Sequence, residues 1–284
     1  MPRLRSSEIF ALFYFAYVAI ISPIFINEWW KPWLLLAAIA AVAVWVARID
    51  RLWSEHLRDW LPLAATLAAY REMDRFTRGA NHALENAFLR WDRWLLDDLH
   101  VRAAIESLGW LLPAYFELCY LLVYAVAAVA IASLLWNGKR VHADRLWLAY
   151  FAGTLGAYAL FPYFPSEPPR TAFAGTDLPH VMTAIRRLNL FIVGGYGIHS
   201  SVFPSAHVSS ALSAAWGLLA TLDTKRWIGW AMAFYGLSVA VASVYGRYHY
   251  AADAVAGIGM SLLAFPALRL LENSRRGTSR PKAS

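Results

Sequence analysis

Cysteine is nearly absent from this chain of 284 residues: Cys119 is the single one, and it lies in an apolar run. One cysteine excludes an intramolecular disulfide, so redox chemistry does not reveal the compartment. No convincing small-residue cleavage site follows the opening MPRLRSSEIF, which favours an uncleaved first membrane span over a removed signal peptide. An internal repeat and a second domain are missing too, and no separate basic domain is present that would bind nucleic acid.

Apolar residues dominate the composition of the chain. The chain is 59% hydrophobic and 15% aromatic, contains 14 Trp and has a mean hydropathy of +0.42. A soluble domain with this much apolar surface would be hard to keep in solution, so the composition predicts an integral membrane protein. The net charge of +7 then indicates membrane orientation and anionic lipid headgroups rather than a nucleic-acid partner.

Apolar runs predict an all-α, multi-pass protein. Residues 9–26 and 33–48 form an N-terminal transmembrane hairpin whose connection, NEWWKP, carries tryptophans suited to the membrane interface. Residues 57–70 are short for a span. The strongest spans are residues 109–136, 145–163, 204–222, 226–245 and 249–272. The predicted fold is a six-helix transmembrane core preceded by the extra hairpin.

The remaining segments complete the predicted organisation. Residues 71–108 are rich in charge but place Leu84, Phe88 and Leu95 at helical spacing, which is typical of interfacial amphipathic helices. We therefore divide the chain into the hairpin, residues 1–56, a catalytic transmembrane domain, residues 57–272, and a basic disordered tail, residues 273–284.

Ionisable residues cluster at the ends of the later spans, where they are costly and therefore candidates for function. His249 and Asp253 are four residues apart on one helix face, so the carboxylate can fix the imidazole tautomer and leave the other nitrogen free to attack. His207 follows Ser205 and Pro204 where a helix can begin, and the N-terminal end of a helix favours an anion such as phosphate.

Two arginines complete the candidate site. Arg170 ends the proline-rich YFPSEPPR, and Arg247 lies two residues before His249. Both can bind phosphoryl oxygens in the bidentate geometry of a guanidinium.

This combination of PPR, FPSAH and HYAAD resembles the membrane-bound type 2 phosphatidic acid phosphatase superfamily, over about residues 145 to 272. Within that superfamily it looks closest to the inositol phosphorylceramide synthase, or inositolphosphotransferase, branch. The resemblance implies that His249 is a nucleophile forming a phosphohistidine, oriented by Asp253, and that His207 is the general acid and base. It further implies that Ser205, Arg170 and Arg247 hold phosphate, and that no metal or other cofactor is needed.

The sequence departs from the superfamily pattern at two basic positions. Tyr163 stands where a lysine is usual, and Ser243 stands where an arginine is usual, so the phosphate clamp departs from the pattern. The loop of about forty residues between the motifs carries further candidates for headgroup contacts: Asp177, His180 and His199. A loop of this length is unusual unless it acts as a lid or binding element.

Topology brings the motifs together. Arg170 follows one span, FPSAH opens the next, and the chain returns to the same side with GRYHY two crossings later. The opposite side carries the basic loops around Lys139 and Lys225 and the basic tail, so the positive-inside rule places the active site on the non-cytoplasmic face. Arg3 and Arg5 then require eight crossings, which makes residues 57–70 a third span.

The predicted activity is cleavage of a lipid phosphoester and transfer of its phosphoryl headgroup, of the inositol phosphate type, to a lipid hydroxyl. A lipid phosphate phosphatase with water as acceptor uses the same chemistry and stays open. Two other classes also remain: a proton-coupled transporter, which would show a repeated half, and an inactive lipid-binding scaffold. Purely structural roles are open as well, such as helix capping by Ser205 or a structural hydrogen bond between His249 and Asp253.

Overall fold

The computed structural model describes residues 4–76, 79–175, 177–198 and 202–278, and within these ranges the chain is helical with no β-strand. The helices are α1 Ser6–Phe25, α2 Trp30–Val46, α3 Arg51–Met73, α4 His82–Arg93, α5 Val101–Glu106, α6 Leu111–Leu122, α7 Val126–Trp136, α8 Ala143–Leu160, α9 Pro169–Ala172, α10 Ala184–Tyr196, α11 Ala206–Leu219, α12 Arg226–Tyr245, α13 Ala251–Ser261 and α14 Ala264–Thr278. The predicted all-α architecture is confirmed.

Four helical segments in the described part of the chain are long and apolar enough to cross a membrane: Ser6–Phe25, Leu111–Trp136, Asp223–Tyr245 and Ala251–Asn273. These confirm an integral membrane protein. α3, α8 and α11 are not among them. α11 has 14 residues, which is about 21 Å of helix and less than the hydrocarbon core of about 30 Å. The predicted number of core helices, six, and the predicted number of membrane crossings, eight, therefore stay predictions.

α11 is the central helix of the C-terminal half, packed against α8, α12 and α13. Small residues allow this close approach, as they do between membrane helices generally. A Cβ atom on Gly153 of α8 would lie 2.0 Å from Ser213 Oγ of α11, and one on Gly236 of α12 would lie 2.7 Å from Leu212 Cδ2. The spacing between these helices is therefore set by glycine.

The charged segment before α6 contains α4, which contacts the loop that carries Arg170. The interfacial position predicted for this segment stays a prediction. α4 begins at an N-cap, Asn81, and buries Glu85 and Asp92. Glu85 Oε1 accepts a hydrogen bond from the backbone N–H of Glu167 at 2.7 Å, and the N–H of Asn81 donates to Pro165 O at 2.9 Å. α4 therefore packs on the loop that carries Arg170, and Glu85 and the backbone of Asn81 both bond to that loop's backbone.

Two segments predicted to be irregular contain helix. The connection between the motifs includes α9 and α10; α10 begins at Thr183, whose hydroxyl accepts a hydrogen bond from Arg186 N at 3.0 Å. α10 buries Arg186, Asn189 and Val193, whereas Phe191 is exposed. Because α9 and α10 are helical, the irregular part of this connection is shorter than the forty residues that the sequence indicated. α14 continues to Thr278, inside the tail predicted to be disordered.

Candidate active site

Two histidines meet at a small cavity between the start of α11 and the turn that connects α12 to α13. The rings of His207 and His249 stand edge to face, with their centroids 5.6 Å apart. The cavity has a volume of about 50 Å³. Since one buried water needs about 10–15 Å³, it has room for a few waters and not for a lipid tail. It is lined by Tyr70, Tyr120, Tyr124, Tyr158, Phe161, Arg170, Val193, Gly197, Ile198, Val202, Ala206, His207, Tyr248 and His249.

His249 is held through one ring nitrogen. Its Nδ1 lies 3.1 Å from Val202 O and 3.2 Å from Asp253 Oδ2. Two acceptors at Nδ1 place the proton on that atom, so Nε2 keeps a free lone pair. His249 lies in the turn outside the adjacent spans, and burial together with the nearby Arg170 lowers its pKa to about 3. The imidazole is therefore neutral at physiological pH, the form that a nucleophile requires.

Asp253 connects the histidine to the helix start. It is fully buried on the first turn of α13, and Oδ2 also accepts a hydrogen bond from Tyr250 N at 2.9 Å. Its backbone O accepts one from Ser205 N, at the start of α11, at 2.9 Å. The spacing of four residues predicted the contact with His249, and the structure adds a backbone connection between the two halves of the site.

Ser205 caps α11. Its side chain accepts a hydrogen bond from Val208 N at 3.4 Å, and the residue is fully buried outside the cavity lining. The first N–H groups of a helix have no partner within it, and Ala206 and His207, which follow Ser205, line the cavity. The start of α11 therefore presents backbone donors and a positive dipole end to the cavity.

Arg170 is the one cationic side chain among the described residues that line the cavity. Its guanidinium lies over the ring of Tyr248, with Cζ 5.7 Å from the centroid. Its backbone N donates to Arg247 O at 3.1 Å. The two motif loops are thus joined directly, and Arg170 lines the same cavity as the two histidines. Its role in binding phosphate stays a prediction.

Arg247 is not brought to the cavity. Its backbone has a left-handed conformation, with φ of 61°, which is uncommon for a residue other than glycine. Its fully buried guanidinium pairs with Asp92 of α4 and, at 2.5 Å, with Asp177 Oδ2. The arginine faces two carboxylates instead of the histidines, because α4 and the motif loop supply acidic partners for it.

The predicted headgroup contacts also lie elsewhere. Asp177 pairs with Arg247 and with Arg102 of α5. His180 is exposed, and its Nδ1 lies 2.9 Å from Glu106 Oε2. Neither lines the cavity, and His199 lies outside the described residues.

A buried network behind Tyr248 escaped the sequence analysis. Glu117 of α6 pairs with Arg186 at 2.6 Å and accepts hydrogen bonds from Asn189 Nδ2 at 2.8 Å and Tyr248 OH at 2.7 Å. Tyr248 in turn stacks on Tyr120, with centroids 3.7 Å apart. The signal available was the acidic Glu117 inside an apolar span, since such a residue requires a partner.

A family model described as the PAP2 superfamily matches residues 86–267, which is more than half of the chain. The chain belongs to the PAP2 superfamily. The match begins in α4, so it covers the segment that contains Asp92 as well as the three motifs. Neither a curated protein nor a solved structure matches this chain.

Membership in the PAP2 superfamily, together with the membrane helices, makes this chain a membrane protein of a lipid phosphoesterase family. The paired histidines agree with such chemistry in position. Among the described residues, no three His, Cys, Asp or Glu side chains come together as a metal site.

Proposed function

We propose that this protein transfers a phosphoryl headgroup from a lipid phosphodiester to a lipid hydroxyl through a phosphohistidine on His249. The observation that carries the proposal is the pairing of a histidine whose Nε2 is free with a second histidine, His207, across one cavity. A nucleophile and a proton donor on either side of a small site are what double displacement at phosphorus requires.

In the first step, Nε2 of His249 forms a bond to phosphorus while the bond to the lipid oxygen breaks. His207 gives its proton to the departing oxygen, which leaves as a lipid alcohol. In the second step, His207 takes the proton of the acceptor hydroxyl, whose oxygen attacks phosphorus and releases His249. Arg170 and the first N–H groups of α11 stabilise the negative charge on the other phosphoryl oxygens in both steps.

Asp253 orients the nucleophile. Its contact with Nδ1 of His249 keeps the proton on that atom, so the free lone pair stays on the atom that faces the cavity. When phosphorus bonds to Nε2, the ring becomes positively charged, and the buried carboxylate offsets that charge. Asp253→Asn would therefore weaken turnover strongly without removing any group that touches substrate.

The charge of the cavity favours a diester donor. One guanidinium, that of Arg170, balances the single negative charge of a phosphodiester, whereas a phosphomonoester brings about −1.5 to −2. Apart from Tyr248, whose hydroxyl donates to Glu117, the tyrosines of the lining supply phenol groups suited to the hydroxyls of a polyol headgroup. These two features support transfer of an inositol phosphate type of headgroup, and a phosphatase that uses water is the alternative.

We place the active site on the non-cytoplasmic side of the bilayer. The support is the distribution of basic residues, because the loops at the opposite end of α8 and α12 carry Lys139, Arg140 and Lys225. The substrates would then be lipids of the outer or lumenal leaflet. A Met182→Cys variant tests this placement, because Met182 is exposed beside α10. A membrane-impermeant thiol reagent should label the new cysteine in intact cells. Labelling only after permeabilisation would contradict the placement.

The decisive experiment uses purified protein in liposomes that contain phosphatidic acid, phosphatidylinositol, and ceramide or diacylglycerol. Products are read by mass spectrometry. A new headgroup-bearing lipid that depends on His249 supports the transferase, and its mass identifies donor and acceptor. Free phosphate released from phosphatidic acid without a new phospholipid identifies a phosphatase and refutes the transfer.

Matched variants separate chemistry from folding. His249→Ala and His207→Ala should abolish turnover, whereas His82→Ala, at an exposed position on α4, should leave it unchanged. Full turnover in His249→Ala, equal to that of His82→Ala, would refute the nucleophile. Absence of turnover in the unaltered protein would favour an inactive lipid-binding scaffold.

A further inference from the structure

A second, larger cavity lies at the opposite end of the bundle from the histidines. It has a volume of about 370 Å³ and is enclosed by the start of α8, the end of α11, the start of α12 and α14. α12 runs from this cavity at Arg226 to the catalytic turn after Tyr245. Since a helix of 20 residues spans about 30 Å, the two sites are about one bilayer core apart.

Three arginines and one acidic residue supply the charge of this cavity: Arg145, Arg226, Arg269 and Glu272. Arg145 and Glu272 pair at 2.5 Å, which leaves Arg226 and Arg269, both exposed, as surplus positive charge. Nε of Arg145 is buried without a hydrogen-bond partner among the described residues. A buried donor without a partner is costly, so an acceptor at this point would be stabilising.

The rest of the lining is apolar and aromatic. Trp216, Leu219 and Leu268 form its floor, and Trp230 and Phe265 remain substantially exposed beside the arginines. A free anion would use the arginines but would gain nothing from these side chains. An occupant with an anionic head and a hydrocarbon chain uses both, because the chain covers exposed apolar surface at about 25 cal/mol per Å².

We propose that this cavity binds the phosphate group of an anionic membrane lipid, with one acyl chain against Trp230 and Phe265. Basic pockets between membrane helices on the cytoplasmic side are typical positions for anionic headgroups. The neighbouring Lys225, together with Lys139 and Arg140, adds to the positive field at this end. The site is separate from the catalytic cavity and needs no assumption about the reaction.

The test uses the full chain reconstituted in nanodiscs of phosphatidylcholine with or without phosphatidylglycerol, followed by native mass spectrometry of the lipids that stay bound. Arg226→Gln combined with Arg269→Gln should lower the retained phosphatidylglycerol by about 10- to 30-fold, at about three- to fivefold per arginine. The control pair, Arg48→Gln with Arg51→Gln, removes the same charge outside the cavity. An equal loss in both pairs would overturn the proposal.

Glu272→Gln gives an independent outcome with the opposite sign. It removes the carboxylate that competes for Arg145, so retention of phosphatidylglycerol should rise. Unchanged or lower retention in a variant that still elutes as a single species would contradict the site. Inorganic phosphate at millimolar concentration should not displace the lipid; displacement would assign the arginines to free phosphate and overturn the lipid.

Discussion

Replacing Asp92 tests how α4 holds the catalytic turn. The carboxylate is fully buried, pairs with Arg247 and accepts a hydrogen bond from Ala251 N, at the start of α13, at 2.7 Å. Asp92→Ala removes both contacts and leaves Arg247 with Asp177 alone. Breaking a buried pair costs about 3–5 kcal/mol. At about 2–4 °C of Tm per kcal/mol, we expect Tm to fall by about 6–20 °C.

Thermal unfolding followed by tryptophan fluorescence in detergent measures this change, with turnover measured at a temperature where the variant is folded. Turnover should also fall, since Ala251 starts the helix that carries Asp253. Asp98→Ala removes an exposed carboxylate from the same segment and should leave both quantities unchanged.

A double variant distinguishes the ion pair from general damage to α4. Arg247→Met removes the buried charge, so Asp92→Ala should cost less in that background, with a coupling of about 0.5–3 kcal/mol. Additive losses, or a Tm for Asp92→Ala within about 2 °C of the unaltered protein, would refute the role that we assign to this pair.

Two further predictions concern the site itself. Because burial and Arg170 lower the pKa of His249 from 6.5 to about 3, the unfolded chain binds more protons between these pH values. Stability should therefore decrease as the pH falls through this window. The fall in Tm between these pH values should be smaller in His249→Gln than in the unaltered protein. The same dependence of Tm on pH in both proteins would contradict this reasoning. A Cβ atom on Gly257 would lie 2.5 Å from Ser205 O, whereas one on Gly259 would meet nothing within 4 Å. Gly257→Ala should thus lower turnover by moving α13 away from α11, and Gly259→Ala should not, as product assays on both variants would show.

The helices, and the contact between His249 and Asp253, could be predicted from the sequence because they depend on residues close together in the chain. His249 and Asp253 are four residues apart on one helix, and the structure places them 3.2 Å apart. Serine at a helix start caps that helix more often than it binds substrate, and Ser205 does cap α11. The sequence allowed Ser205 either to cap the helix or to bind phosphate, and the hydrogen bond from Val208 N shows the capping role.

The partners of Arg247 were not predictable from local pattern. Asp92 is 155 residues away in sequence, in a segment whose amphipathic spacing indicated the membrane surface. Hydrophobic periodicity reports which face of α4 is apolar, but it does not report that a carboxylate on that helix meets a buried guanidinium. The assignment of Arg247 to phosphate followed from its nearness to His249, and nearness along a turn does not fix the direction of a side chain.

Neither of the two residues that depart from the superfamily pattern lines the cavity. Ser243, where an arginine is usual, accepts hydrogen bonds through its backbone O from Tyr248 N at 2.9 Å and His249 N at 3.0 Å. Tyr163, where a lysine is usual, lies outside the cavity with its hydroxyl 3.1 Å from that of Tyr17. With Arg247 engaged by carboxylates, Arg170 is the only cationic side chain in the described lining of the cavity. A second negative charge on phosphorus would then be poorly balanced, so diesters should be turned over faster than monoesters of the same lipid.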